Sequence, residues 1–510
     1  MRIFPILLLL CLSCSTSGLN IIVYNTCVAK SHASSLSILI NALTDGGHTV
    51  DLVMARMNTV VKNAGNHNAR NLIIVDFPNM DSPWNRIVGH LNDPFLEYSS
   101  WNPFKSLVNT FMDVNEELCP LVLDSPEVDR LLKSNKYDIG LTIGYDLCGV
   151  GLLHGYGIKP VASYTTAVLF YFQVLYGGYP ELPLYENMIL DAPSRVDRSR
   201  FGDRVITLAR ALHARWTHEG QADRANDLFR SRYGADFPDI RQLSKELTFD
   251  FVNSNPLMDE PRPISSRIKF IGGMGLAKPK PLDASLNRVL ASAKKGTVVF
   301  SFGTQVPAQN ISPRIFNIFS DAFSAFPDFN FIWKFDGKTK MNSNDKRVVG
   351  FISHMGMNSF VESAHAGVPL ICIPLFADQF HNTRQAVRLG TGIMLEKTML
   401  STDIVVDALR KLLLDSKYIT TARELASKLE NNPDKPERVL LEGVQFLSKH
   451  KDLHKHFLLE GANHNFFVAH GYDVIVFLFS LCLFIVVVLL KLVGGVLRVI
   501  SRSAIKSKTE

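Results

Sequence analysis

Residues 351–382 read FISHMGMNSFVESAHAGVPLICIPLFADQFHN, and this stretch decides the fold. An apolar strand ends at Ser353, a tight turn holds Gly356, and a helix begins near Asn358 or Ser359. A second apolar strand follows at 367–374, with Asp378-Gln379 standing at its end. Strand, helix and strand in succession form the unit of a parallel sheet. Unpaired backbone N–H groups at such a helix start favour a diphosphate. His354 adds a hydrogen-bonding ring there, and Glu362 can accept bonds from vicinal ribose hydroxyls. Asp378 and Gln379 offer acceptors and a donor for sugar hydroxyls.

The same alternation extends on both sides. Upstream, short apolar strands are expected at 21–24, 49–54, 71–77 and 137–143, with helical periodicity at 36–43 and 128–132. It restarts after the Pro-rich stretch PLMDEPRP at 256–263, with strands at 297–301, 330–334 and 348–352. Helices are expected at 313–326, 379–389 and 402–414. Two such halves facing each other across a linker create a deep cleft, and α/β sheets bind ligands at their strand C-termini. Ser301-Phe-Gly303-Thr304 closes the first strand of the second half, and Lys30-Ser-His32 follows the first strand of the first.

The chain has 510 residues, too many for one core, and 46% hydrophobic with 20% charged residues is a globular composition. Residues 1–18 have a basic Arg2, an apolar run and small residues, the layout of a cleaved secretory signal. Residues 474–497 are nearly all apolar and long enough to span a membrane. Lys491, Arg498, Arg502, Lys506 and Lys508 oppose only Glu510, so the tail reads as cytosolic. Most of the net charge of +6 is therefore terminal, and nothing suggests a nucleic-acid surface. Cys27, Cys119, Cys148 and Cys372 are too scattered to suggest a disulfide framework. Asn310-Ile-Ser312 is a glycosylation sequon.

Three further features read as structural. Gly149-Val-Gly151-Leu-Leu-His154 opens a helix, but His154 occupies the third glycine's place, so helix–sheet packing is expected rather than dinucleotide binding. His450, His454 and His456 lack zinc-like partners. The aromatic stretch 171–185 reads equally as core, as a membrane contact and as the lining of an apolar pocket.

The block from His354 to Gln379, with Ser301-Phe-Gly303-Thr304, the strand 331–334 and both termini, resembles the UDP-glycosyltransferase family, particularly the animal glucuronosyltransferases of the endoplasmic reticulum. The resemblance implies a GT-B fold, two Rossmann-like α/β domains facing a cleft, plus one C-terminal transmembrane helix. Its layout would be a signal at 1–18, an acceptor-binding domain at 19–255, a linker at 256–264 and a UDP-sugar-binding domain at 265–460. A juxtamembrane segment at 461–473, the span at 474–497 and a basic tail at 498–510 complete it. The resemblance makes His32 the general base and calls for an acid to orient it. Ile143 occupies that acid's aligned position, and Asp146 is the nearest alternative. Ser301, Gly303, Thr304, His354, Gly356, Asn358, Ser359 and Glu362 would hold UDP, and Asp378 and Gln379 the sugar.

The implied reaction is inverting transfer of a sugar, glucuronate ahead of glucose, from a UDP-sugar to a hydroxyl of a small lipophilic acceptor. No metal or cofactor is implied, since the UDP-sugar is a co-substrate. The place would be the reticulum membrane, single-pass with lumenal domains, and the role detoxification; homo- and hetero-oligomers are both open. Two departures stand out. Met355 takes the first glycine of the family's turn, and no Trp-x-Pro-Gln, the family's uracil platform, lies between Trp333 and His354. They keep open a weakly active or inactive member that serves as a binding or partner subunit.

Overall fold

The computed structural model describes residues 18–57, 61, 65, 67–78, 95, 107–181, 199–276, 281–303, 306, 311–334 and 347–506. The signal-like stretch 1–17, Thr304, Asn310 and the segment 335–346 lie outside them.

Among the described residues the first sheet has seven strands. They are β1 (Asn20–Cys27), β2 (Thr49–Arg56), β3 (Asn71–Asp76), β4 (Ile139–Ile143), β5 (Val161–Thr165), β6 (Asp250–Val252) and β7 (Ile268–Phe270). Their order is β3-β2-β1-β4-β5-β6-β7, every neighbouring pair parallel. Strands covered on both faces read as continuous apolar runs, as β1 and β4 do. The second sheet has β8 (Thr297–Ser301), β9 (Asn330–Trp333), β10 (Val348–Ser353), β11 (Leu370–Cys372) and β12 (Gly392–Met394). Its order is β12-β11-β10-β8-β9, again parallel throughout.

Each sheet therefore has a switch point, where successive crossovers depart in opposite directions. In the first it lies between β1 and β4, in the second between β8 and β10. Such points open a crevice beyond the strand C-termini. The helices that begin there are α1 (Lys30–Asp45), α2 (Leu147–Gly155) and α3 (Met357–Ala366). Gly149 and Gly151 in α2 are packing glycines: a Cβ would lie 2.1 Å from Thr142 Oγ1 and 2.2 Å from the Phe229 ring, respectively.

The Pro-rich stretch 256–264, expected as the interdomain linker, instead lies between two strands of the first sheet. The passage to the second sheet follows Phe270, because β7 is a three-residue strand with no alternation to announce it. The chain also returns. Helices α4 (Gln379–Arg388) and α5 (Pro436–Lys449) follow in order, and α5 packs on α1, β4 and β7. Its Leu440, Val444 and Leu447 are wholly buried in the first sheet's core, each worth roughly 1.5–3 kcal/mol.

A polar contact ties the stretch after β6 to α4. Asp259 accepts bonds from His381 Nε2 at 2.8 Å, the Ser254 hydroxyl at 2.8 Å and the Glu260 N–H at 2.7 Å. Arg388 donates to its backbone carbonyl at 2.8 Å. Burial alone would raise the Asp259 pKa, but His381, Arg262 and Ser254 outweigh it and hold the carboxyl well below the usual range.

The last 53 residues form a separate unit, 458–510. Its helix α6 (Tyr472–Lys506) contains the one stretch among the described residues long and apolar enough to cross a membrane, Tyr472–Ile500, with mean hydropathy 3.1.

Asp259→Ala is expected to remove about 1.5–3 kcal/mol of stability at neutral pH, read as a lower urea midpoint. A depressed carboxylate pKa stabilises above the unfolded value near 4, and that effect drains away as pH falls from there to the lower folded-state value. The gap between wild type and variant should therefore close in acid.

Candidate active site

At the first switch point, His32 is the third residue of α1, half-buried just past the end of β1. Its Nδ1 lies 3.0 Å from the Tyr145 hydroxyl, in the loop that follows β4. The Tyr145 hydroxyl donates to the Thr26 carbonyl at 2.8 Å. Phe111, Phe170 and Phe172 surround the Tyr145 ring at centroid distances of 5.2, 6.5 and 6.5 Å. Burial holds the His32 pKa below the ordinary imidazole value and raises that of Tyr145 well above the phenol's.

Asp146, expected to orient His32, makes no hydrogen bond to it. It is the N-cap of α2, and its carboxylate accepts from the Cys148 N–H at 2.7 Å, from the Tyr24 hydroxyl at 2.9 Å and from the Thr26 hydroxyl. A capping side chain must turn back over its own helix start, which here points it into the sheet. Ile143, the residue at the acid's aligned position, is fully buried at the end of β4. Cys148 is also bonded to Cys119, tying α2 to helix Leu107–Leu123, a disulfide that the sequence spacing did not suggest.

At the second switch point, β8 ends at Ser301 and β10 at Ser353. Ser301 Oγ accepts from the Gly303 N–H at 3.1 Å, and Ser353 Oγ from the Met355 N–H at 3.0 Å. His354 is buried between two glycines. A Cβ on Gly303 would lie 2.5 Å from its Nε2, and one on Gly356 2.7 Å, so only glycine admits the ring on either side. Burial lowers the His354 pKa to about 4, a bond to the Ser301 backbone raises it somewhat, and Lys334 lowers it. His354 Nδ1 is buried with no hydrogen-bond partner.

Gly356 is the N-cap of α3 and has no side chain to cap it. The Met357 N–H in the first turn is held by the Asp378 carboxylate, and the helix dipole favours negative charge at this end. Asn358, Ser359 and Glu362 share one face of α3 by their spacing. Met355 sits at φ 67, a left-handed conformation that costs a side-chain-bearing residue about 1–2 kcal/mol. It is fully buried, and its carbonyl accepts from Asn382 Nδ2 at 2.9 Å.

The same Asn382 amide donates to Asp378 at 2.9 Å, joining the turn before α3 to the start of α4. Gln379 Oε1 accepts from the Leu375 and Phe376 N–H groups at 2.8 and 3.1 Å. Its carbonyl end thus holds the loop after β11, and only Nε2 remains for a ligand. Trp333 stacks on Phe316 at 5.3 Å and packs at a tilt against Phe300 at 4.3 Å.

The two switch points carry different chemistry: a histidine in an aromatic recess at one, a buried histidine against a helix start at the other. The profile described as "UDP-glucoronosyl and UDP-glucosyl transferase" matches residues 21–507. The chain belongs to the UDP-glycosyltransferase family. A putative UDP-glucuronosyltransferase, ugt-48 of Caenorhabditis elegans, is 27% identical over 93% of this chain and 94% of its own length. UDP-glucosyltransferase 2 of Dactylopius coccus is 25% identical over 75% and 77%. The solved glycosyltransferase VinC, in complex with DTDP, has the same fold, with TM-score 0.53 and 14% identity over 85% of this chain and 100% of its own. This is a GT-B UDP-glycosyltransferase by family and fold.

Within this UDP-glycosyltransferase, Ser301, Gly303, His354, Gly356, Asn358, Ser359 and Glu362 come together around one switch point, with Asp378 and Gln379 at the adjacent strand end. Tyr145, Lys334 and Asn382 were not assigned from sequence. Asn382 lay four residues after Asp378, a spacing that puts both on one helix face. Lys334 acts electrostatically on both His354 and Glu362, a proximity no linear pattern contains. In the aromatic stretch, Tyr171, Phe172, Leu175 and Tyr176 are buried core residues, while 183 and 185 lie outside the described residues. Among the described residues no group of three or more His, Cys, Asp or Glu is placed to hold a metal ion.

Gly303→Ala should displace the His354 ring and strain a backbone held at φ +77. UDP affinity is expected to fall roughly tenfold, about 1.4 kcal/mol, by calorimetry.

Proposed function

We propose that this UDP-glycosyltransferase moves glucuronate from UDP-glucuronate to a hydroxyl of a small lipophilic acceptor, with inversion at the anomeric carbon. The observation that carries the proposal is the pairing of a proton-accepting His32 at one switch point with the positive end of the α3 dipole beside His354 at the other. The diphosphate would rest at the start of α3 on the N–H groups of Asn358 and Ser359, with Ser301 and Gly303 beside it. Glu362, Asn358 and Ser359 would take the ribose and phosphate side, and Asp378 with Gln379 Nε2 the sugar. His32 would remove the acceptor's proton as its oxygen attacks the anomeric carbon from the face opposite UDP. The C–O bond to UDP breaks as the new one forms, and the helix start stabilises the charge that develops on the leaving diphosphate. The reaction needs no metal or cofactor.

Localisation follows the same reading. A disulfide between Cys119 and Cys148 suits an oxidising compartment. The apolar helix, the basic tail and the signal-like first 18 residues fit a single-pass protein of the reticulum membrane with its domains in the lumen. Disposal of lipophilic compounds, a detoxifying role, is the natural use of such an activity.

A second reading rests on two observations: among the described residues no carboxylate bonds to His32, and the family's Trp-x-Pro-Gln is absent from the sequence. On that reading the chain is a weak or inactive partner subunit. Calorimetry with UDP separates the two, since no binding at millimolar UDP leaves only the partner subunit. Glucose in place of glucuronate is the alternative donor sugar, separated by comparing the two UDP-sugars in the same assay.

His32→Ala is expected to lower kcat by about 10²- to 10⁴-fold with UDP binding unchanged. The base must be neutral to act, and its pKa is lowered. Wild-type kcat/KM should therefore hold as pH falls through 6.5 and decline only below it. A wild-type rate in the variant, or an acid limb above pH 7, would sink the assignment.

A further inference from the structure

The loop after β4 holds a residue that neither the sequence pattern nor the family's His–acid pairing assigns. Tyr145 stands where an orienting carboxylate would be expected, its oxygen 3.0 Å from His32 Nδ1. A phenol has one proton, and a backbone carbonyl can only accept. The bond from Tyr145 to the Thr26 carbonyl at 2.8 Å takes that proton. Nδ1 must then carry a hydrogen and donate it to the tyrosine oxygen. The neutral ring is left with its lone pair on Nε2, which makes no hydrogen bond among the described residues. That is the tautomer a general base requires.

We propose that Tyr145 is the positioning residue for His32: its hydroxyl, pinned by the Thr26 carbonyl, fixes the imidazole in the Nε2-basic tautomer, and because the partner is neutral the base serves acidic hydroxyls, phenols, far better than alkanols. The inference rests on the transferase reading above and adds a substrate class to it.

The second half of the proposal follows from charge. The groups that act electrostatically on Tyr145 are Cys27 and Tyr24 of β1, Tyr164 of β5 and Asp146 at the start of α2. All of them disfavour a tyrosinate, and Asp146 is bonded to Tyr24, Thr26 and Cys148. Among the described residues no charged group contributes to the titration of His32, on which only burial acts. A carboxylate partner would stabilise the imidazolium that forms during proton transfer; a neutral phenol does so much less. The base is correspondingly weak. A phenol, titrating near pH 10 as tyrosine does, gives up its proton to such a base far more readily than an alkanol, whose hydroxyl is closer to water at about 15.7.

Tyr145→Phe removes the hydroxyl and keeps the ring that packs on Phe111, Phe170 and Phe172. Two measurements test the proposal on the full chain. In ¹⁵N-histidine NMR, with the His32 signal identified by its loss in His32→Ala, wild type should show Nδ1 protonated and Nε2 bare at pH 8, and Tyr145→Phe a mixture. This readout does not depend on turnover, so it decides the proposal even if the transferase reading fails. In the transfer assay, wild type should prefer phenols to alkanols. Tyr145→Phe should lose roughly 10- to 100-fold in kcat with 4-alkylphenols, part of the 10²–10⁴ a general base supplies. With 4-nitrophenol, already largely ionised, the loss should be less than threefold, and KM for the UDP-sugar should not move. Nε2 protonated in wild type, a tautomer unchanged by the substitution, or equal losses with both acceptors would overturn it. Equal losses would mark Tyr145 as a packing residue only.

Discussion

A parallel strand can be followed only by a crossover, and right-handed crossovers that leave one strand toward both sides open a gap above it. Both halves of this chain obey that constraint, and every candidate group depends on it. In the first half β1 is flanked by β2 and β4, so the loops after β1 and β4 diverge and bring His32 and Tyr145 together. In the second half β8 is flanked by β9 and β10, so Ser301 and His354 meet. Residues more than a hundred positions apart become neighbours through strand order alone. The halves are then bound by burial: Ala167 and Val168, just past β5, share an apolar cluster with Met355, Met357 and Phe360 at the start of α3. Phe170 packs against that cluster and against Tyr145. The apolar surroundings of the histidine and the donor turn are therefore continuous.

Which polar group faces the crevice is settled within a few residues of each strand end. After β4, Tyr145 and Asp146 are adjacent yet serve opposite sides. The shorter carboxylate caps α2 and satisfies two hydroxyls in the sheet, while the longer phenol reaches His32. Exchanging those roles would leave the Cys148 N–H and two buried hydroxyls without their acceptor, at roughly 1–3 kcal/mol each. The same division appears after β11, where the Gln379 carbonyl holds the loop and Asn382 ties it to the donor turn.

The fold was legible because its signals are local. Apolar runs of strand length, alternating with helical periodicity and broken at Gly and Pro, gave most strands and the two-half arrangement. The donor turn was legible because strand end, glycine and helix start lie within a few residues of one another. What could not be read was non-local or short. β7 has three residues and follows a Pro-rich stretch that looks like a boundary. Helix α5 returns to the first core although its sequence pattern says only that one face is apolar. Asp146 was the nearest acid in sequence, but a cap hydrogen bond decides its direction, and that depends on where α2 begins. Tyr145 carried no signal, since a tyrosine beside a strand end is ordinarily core.

The departure at Met355 bears on how the turn before α3 is held. A glycine at position 355 would adopt φ near +67 without strain, whereas methionine does so at a cost and is kept there by its buried side chain and by Asn382. The turn is thus held by packing and a cross-loop hydrogen bond rather than by glycine's freedom. His354 supplies the complementary argument. Its Nδ1 is buried and unpaired, and burying such a nitrogen is unfavourable unless something else gains from the ring's position. Gly303 and Gly356 leave room for that ring where a Cβ would crowd it, beside a helix start whose N–H at Met357 is taken by Asp378. The turn is thus only partly satisfied by the protein itself: Asp378 takes the Met357 N–H, while His354 Nδ1 has no partner among the described residues.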